Sequence, residues 1–127
     1  MDWRQEAKEL EMRGEVGEAI GLLERKVASG EESAALCKEL ARLCLMVNEM
    51  RAFINWCHEA MRIDTADGEP YLMIGRVLSG KERWAEAVEA LEQATTAVLS
   101  SADRNDAEIL LAAARLHPAQ CRSPLQA

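Results

Sequence analysis

Apolar and polar residues alternate with the period of an α-helix along most of the chain. The stretch 83–94, RWAEAVEALEQA, shows the pattern: apolar side chains recur every three or four residues, with glutamates between them. This spacing gathers the apolar side chains on one face of a helix and the acids on the other. The pattern predicts amphipathic helices with one buried face each.

The same pattern predicts seven helices, six of them in pairs. Gly14, Asn48 and Gly80–Lys81 mark short turns within the pairs, because residues that tolerate a positive φ end helices readily. Pro70 suits the first turn of a helix. The predicted pairs are 3–14 with 16–28, 35–48 with 50–63, and 70–80 with 83–99, followed by a last helix at 107–116.

The helix pairs recur every 34 residues without an insertion or deletion. A repeat of this length predicts a stack of similar helix pairs, because one pair alone cannot bury its apolar face. When the three copies are aligned at this spacing, equivalent residues form columns. Small residues in several of these columns let neighbouring helices approach closely. The columns are Trp3/Cys37/Tyr71, Ala7/Ala41/Gly75, Leu10/Cys44/Leu78, Val16/Met50/Trp84, Ala19/Phe53/Ala87, Ile20/Ile54/Val88, Leu23/Cys57/Leu91 and Lys26/Ala60/Ala94.

These pairs resemble the tetratricopeptide repeat (TPR) family, and the third copy matches it best. Tyr71 occupies the aromatic position of the first helix, and Ile74–Gly75 resembles the family's Leu-Gly pair. Leu78 follows in the usual aromatic position. The second helix then carries the family's signature residues Trp84, Ala87, Leu91 and Ala94.

The second copy departs most from the family pattern. Phe53 stands where a small residue is usual, Cys57 replaces an aromatic residue or leucine, and Thr65 replaces the closing proline. In the first copy, Glu6 stands where an apolar residue is expected. The resemblance therefore rests on the columns taken jointly, over about residues 1–101.

The resemblance implies an all-α fold, a right-handed α-solenoid of three helix-turn-helix TPR units with a seventh, capping helix. We expect a single TPR domain over residues 1–116 and a flexible tail at 117–127, because His117–Pro118 ends the last helix. The predicted segments are the repeats 1–33, 34–67 and 68–101 and the capping helix 107–116.

In the resembling family, the first helix of each pair lines a concave groove that binds peptides. Lys8, Arg42 and Arg76 recur at the repeat spacing and would form a basic ladder there. The resemblance thus implies a protein or peptide partner with acidic and apolar side chains, held by arginine and adaptable methionine. The implied groove residues are Arg4, Lys8, Met12, Lys38, Arg42, Leu45, Met46, Leu72, Met73 and Arg76.

A second interpretation of this ladder is that its cations pair with neighbouring acids, such as Glu11 and Glu39, on the helix surface. A related prediction concerns the family's clamp for the carboxyl terminus of a chaperone. Glu39, Glu69 and Met73 stand at three of its positions, and two acids and a methionine do not hold a carboxylate. We therefore expect no binding of this kind.

Charge and composition narrow the class of partner. The chain of 127 residues has a formal net charge of −7, which disfavours binding to nucleic acid or to an anionic membrane surface. It contains no apolar run long enough to span a membrane and no pattern of a signal peptide. We expect a cytoplasmic protein with no nucleic-acid or membrane partner.

The sequence shows no arrangement of residues that predicts catalysis. His58 and His117 are the only histidines, and no Ser-His-Asp, Cys-His or glycine-rich phosphate motif surrounds them. The four cysteines form no CxxC pair, which favours buried, reduced thiols over a zinc site. We expect no enzyme activity, no cofactor and no metal site.

Several functions fit this pattern. The first is an adaptor or scaffold whose groove binds one segment of a partner. A small acidic TPR protein also resembles the type III secretion chaperones, and the chain could form the TPR part of a larger co-chaperone. Self-association through exposed repeat ends is a further possibility.

Overall fold

The computed structural model describes residues 2–117, and every named element within them is an α-helix. One isolated parallel bridge, between Asp67 and Val98, joins the segments that precede α5 and follow α6. The exclusively helical named elements confirm the predicted all-α class. The helices are α1 (Trp3–Met12), α2 (Val16–Ala28), α3 (Ala34–Met46), α4 (Met50–Ile63), α5 (Glu69–Gly80), α6 (Trp84–Thr96) and α7 (Ser101–Arg115).

The chain divides into two compact units, Met1–Thr65 and Ala66–Ala127. The first contains α1 to α4 and the second contains α5 to α7. The division falls next to the predicted boundary between the second and third repeats. The single TPR domain over residues 1–116 stays a prediction.

The first unit encloses an apolar core contributed by α1, α2 and α3. Trp56 on α4 and Val27 on α2 are partly buried and pack against it. Phe53 and Cys57, the two unusual residues of the second copy, are both fully buried. The buried core residues of this cluster are Ala7, Ala19, Leu23, Leu36, Leu40 and Leu43.

The second unit has its own core, in which α7 packs against both α5 and α6. Buried residues from all three helices form one cluster, with Tyr71, Val88 and Leu99 packed at its edge. A helix pair that is covered by a third helix buries apolar surface that it could not bury alone. The buried members are Leu72, Leu91, Ala94, Ala107 and Leu111.

Two of the three predicted turn residues adopt the expected backbone. Gly14 has φ of 80° and Asn48 has φ of 60°, each just after the first helix of its pair. In the third pair the helix ends at Gly80 with Lys81 as its C-cap, as predicted, but neither residue has the positive φ that was expected of the turn. Glu82, with φ of 59°, makes the left-handed turn there instead.

The last helix begins six residues before the predicted position 107. Ser100 is its N-cap, and its Oγ accepts a hydrogen bond of 3.1 Å from the backbone N–H of Asp103. Such a cap satisfies one of the free donors in the first turn and so fixes the start of the helix. Of the predicted tail, His117 is described and packs on Trp84, whereas 118–127 lie outside the described residues.

Candidate functional site

On the first unit, Arg42 joins the two helices that carry the predicted groove residues. Its Nη2 donates to Oε1 of Glu11 on α1 at 2.7 Å, and its Nη1 donates to Oε2 of the same carboxylate at 3.2 Å. The guanidinium also donates to Glu39, one turn earlier on α3. The arginine therefore bridges α1 and α3 through a two-pronged ion pair.

The positive charge of Arg42 is already paired with the carboxylates of Glu11 and Glu39. The hydrogen bond from Arg42 is the main reason why the pKa of Glu11 lies below its usual value. Hydrogen bonds from Glu11 and Glu39 raise the pKa of Arg42 in turn. One guanidinium faces two carboxylates here. The Glu39 pair is the kind of pairing within one helix that the second interpretation of the basic ladder expected, whereas the Glu11 pair crosses from α3 to α1.

Other predicted residues of the first unit surround this ion pair or lie apart from it. Met12 and Met46, at the carboxyl ends of α1 and α3, are 78% and 52% exposed. The Sδ of Met46 lies 3.6 Å from Nη1 of Arg42. Arg4 is exposed, with its guanidinium 4.9 Å from the ring centroid of Trp3. Of the remaining predicted residues, Lys8 is exposed, and Lys38 and Leu45 are half-buried.

Arg76 shows the same kind of pairing within the second unit. Its Nη2 donates to Oδ2 of Asp106 at 2.8 Å and lies 3.9 Å from Oδ1 of Asp103. Both acids stand on α7, so the ion pair ties α5 to the last helix. Here too, one guanidinium faces two carboxylates.

Beside this ion pair, α5, the start of α6 and α7 enclose a cleft of about 620 Å³. Trp84 lies in its wall, and the His117 ring stacks on Trp84 with centroids 4.1 Å apart and planes 3° apart. Ile109 lies at the cleft and is 58% exposed. The lining residues are Arg76, Ser79, Gly80, Trp84, Asp106, Ile109, Leu110 and Ala113.

Ser79 gives this cleft an unusual polar feature. Its Oγ is buried and has no hydrogen-bond partner among the residues that the structure describes. A buried hydroxyl without a partner is costly, and burial of this kind is uncommon in folded proteins.

Leu72 corrects one of the predicted groove residues. It is fully buried in the core formed by α5, α6 and α7, so it has no surface with which to contact a ligand. The reason is that α7 covers the face of α5 on which Leu72 lies. Met73, the next residue, is half-buried.

The sequence did not reveal most of the cleft in the second unit. Asp103 and Asp106, the partners of Arg76, precede the residue at which the last helix was predicted to begin. Placing a helix start at Ser100 would have put both acids on α7, and the N-cap preference of serine is the signal that supports this. The sequence does not show which residues of α7 face α5, because the packing of the two helices determines this.

Comparison with known proteins supports the fold. No protein-family profile matches the sequence, and no curated protein matches it. Among solved structures, a crystal structure of MamA is similar over 91% of this chain and 66% of the MamA chain, with a TM-score of 0.74 and 21% sequence identity. A second solved structure, also of the MamA protein, is similar over 91% of this chain and 67% of the MamA chain, with a TM-score of 0.63 and 21% sequence identity.

The chain thus shares an all-α fold with MamA and spans about two thirds of the length of the solved MamA chain. At this level of identity the likeness concerns the fold alone. Within residues 2–117, no group of three or more His, Cys, Asp or Glu side chains is placed to hold a metal ion. None of the described helices is long and apolar enough to span a membrane.

Proposed function

We propose that the chain is a protein–protein interaction module, an adaptor or scaffold that binds a peptide segment of a partner through its first helices. The fold shared with MamA supports a binding role, and each unit by itself offers exposed side chains on such helices, on α1 and α3 in the first unit and on α5 in the second. The chaperone and co-chaperone alternatives stay predictions, as does a cytoplasmic location.

The cleft beside Arg76 is the observation that carries this proposal. It is a concave site with apolar walls, and it has two charged residues, Arg76 and Asp106, at its lining. Binding sites for small groups and side chains commonly combine these features. An exposed isoleucine in such a cleft also offers apolar surface that a partner would bury.

The ion pairs indicate which part of a peptide would carry the affinity. Arg42 already donates to two carboxylates, and Arg76 donates to Asp106 with Asp103 3.9 Å away, so an acidic ligand would have to displace those partners. An apolar side chain entering the cleft displaces only water. We therefore expect one apolar anchor residue to dominate the binding energy, as is usual in protein interfaces, with acidic residues adding less than the sequence alone suggested.

The test is a selection of random peptides on the purified protein, followed by calorimetry of the enriched peptides. Ile109→Asp places a charge in the cleft and should lower their affinity at least tenfold. Val98→Asp is the matched control, because Val98 is 67% exposed in the same unit and does not line the cleft. Circular dichroism establishes that both variants keep their helices.

Peptides that share an apolar residue and lose affinity only in Ile109→Asp would support the proposal. If the enriched peptides bind Ile109→Asp as tightly as they bind the unaltered protein, the cleft is not their binding site. Sedimentation at two protein concentrations tests the separate expectation of self-association, because a dimer would appear only at the higher one.

A further inference from the structure

A second cleft, on the first unit, lies on the second helices of the pairs. It occupies about 520 Å³ between α2 and α4, away from the first helices that carry the predicted groove residues. Its lining combines an aromatic ring with acidic side chains. The residues are Glu24, Val27, Ala52, Asn55, Trp56 and Glu59.

The aromatic part of this cleft is held in place by the core. Trp56 and Val27 are partly buried and both pack against the buried cluster of the first unit. The core therefore fixes the position of the indole without any ligand. The part of the ring that lies in the cleft is available for contact. A fixed aromatic face attracts cations through its quadrupole.

The charges around the cleft are unbalanced. Glu24 is exposed and makes no hydrogen bond or ion pair with any residue that the structure describes. Glu59 accepts a hydrogen bond of 2.8 Å from Nε of Arg62, but that arginine also pairs with Glu32 at 3.1 Å. One guanidinium thus serves two carboxylates while Glu24 stands alone, so one of the two carboxylates that line the cleft has no cation paired with it.

We propose that this cleft, defined by Trp56, Glu24 and Glu59, binds an arginine side chain of a partner protein. The guanidinium would lie against the indole of Trp56 and donate to the carboxylate of Glu24. An uncharged apolar side chain fits less well, because it would remove water from Glu24 without replacing its hydrogen bonds. The inference does not depend on the proposed peptide site of the second unit.

Arginine fits this cleft better than lysine does for two reasons. Its planar guanidinium stacks on aromatic rings and is more weakly hydrated than an ammonium group. It also presents two parallel N–H donors, which match the two oxygens of a carboxylate. Lysine would supply the charge without either contact, so we expect it to bind several times more weakly.

The test uses acetyl-arginine amide as the probe and follows the indole N–H signals in nitrogen-15 spectra of the full chain. The chain has three tryptophans, so Trp3 and Trp84 serve as internal references, and Trp56→Phe assigns the signal. We expect the Trp56 signal alone to shift and to saturate at millimolar probe. The citrulline analogue, which has nearly the same shape without the charge, should cause no saturable shift.

Two glutamine substitutions on one helix sharpen this test. Glu24→Gln should weaken the binding of acetyl-arginine amide about threefold or more. Glu18→Gln is the matched control, because Glu18 is also exposed on α2 but does not line the cleft. Raising the salt concentration should weaken the binding as well, since the contact is electrostatic.

The outcomes separate cleanly. A saturable shift confined to Trp56 and weakened only by Glu24→Gln supports the proposal. Equal shifts of all three indoles, equal effects of the arginine and citrulline probes, or no shift overturn it. A Trp56 shift that depends on protein concentration without any probe would assign the cleft to a contact with a second copy, which also overturns it. None of these results alters the peptide-selection test at Ile109.

Discussion

Gly75 on α5 lies against Leu91 on α6 so closely that a Cβ atom at position 75 would be 2.7 Å from Cγ of Leu91 and 2.6 Å from its Cδ2. Real Cβ atoms do not approach other carbon atoms to this distance. The backbone conformation of Gly75 is an ordinary helical one, so space and not φ requires the glycine. The Ala7/Ala41/Gly75 column holds its smallest member where α5 and α6 meet.

Gly75→Ala should therefore destabilise the second unit. The added methyl group would push against Leu91, a buried residue that other core side chains surround, and overpacking of this kind costs about 1–3 kcal/mol. Urea unfolding followed by circular dichroism measures the change. Gly17→Ala is the control, because a Cβ there meets nothing within 4 Å. A loss of stability in both variants would contradict the steric explanation.

Glu82 should be replaceable with a gain in stability. Its φ of 59° is a left-handed conformation that costs a residue with a side chain about 1 kcal/mol or more. Glu82→Gly removes that strain, and after the added flexibility of the unfolded chain we expect a net gain of about 0.5–1 kcal/mol. Thermal unfolding measures it. Glu82→Ala removes the charge but keeps the strained φ, so an equal gain there would assign the effect to charge.

The buried thiols should react slowly. Burial raises the pKa of Cys57 to about 12, and it also raises the pKa values of Cys37 and Cys44. Since only the thiolate is nucleophilic, the reactive fraction of Cys57 at pH 8 is about 10⁻⁴. Alkylation of a Cys121→Ser variant followed by peptide mass spectrometry should label these three cysteines rapidly only in urea. Rapid labelling of Cys57 in the folded protein would contradict its burial.

Cys57 should also make stability depend on alkaline pH. Its folded pKa is above the ordinary value of 9.0, so the folded state holds the proton more tightly than the unfolded state. The stabilising contribution is therefore fully present below about pH 9 and declines as the pH rises towards 12. Cys57→Ala, compared with the unaltered chain at pH 8 and pH 10.5, should show a smaller decline. Identical declines would contradict the assignment to Cys57.

The Arg42–Glu11 ion pair should contribute more to stability than an exposed pair within one helix. The side chains of Arg42 and Glu11 are 43% and 24% exposed, whereas those of Arg83 and Glu86 on α6 are 55% and 53% exposed. Double-mutant cycles with alanine should give coupling energies of about 0.5–1 kcal/mol for the first pair and about 0.3 kcal/mol for the second. Equal couplings would show that bridging α1 and α3 adds nothing.

Acid should abolish the coupling of Arg42 with Glu11. The pKa of Glu11 is lowered in the folded state, so its contribution is present above the ordinary value of 4.5 and is lost as the pH falls through the lowered value. Repeating the cycle at several acidic pH values would follow this loss. A coupling that stayed constant down to pH 2 would mean that the carboxylate is not its source.

The sequence by itself determined the helices and, to within about two residues, most of their boundaries. The predicted limits of α2 and α4 agree with the structure at both ends. The columns of the 34-residue repeat also predicted much of the core. One of them consists of Ala19, Phe53 and Ala87, which are all fully buried. These features follow from local spacing: a helix turns every 3.6 residues, so the order of apolar residues along the chain fixes its buried face.

Tertiary structure alone decided what lies against those faces. The sequence placed Leu72 in a groove, but α7 packs over it. Two cations of the basic ladder, Arg42 and Arg76, pair with acids that come from other helices, Glu11 and Asp106. The Trp56 cleft likewise combines residues of α2 and α4 that are far apart in sequence. Periodicity records which way a side chain points from its own helix, whereas its partner is set by the packing of helices on one another.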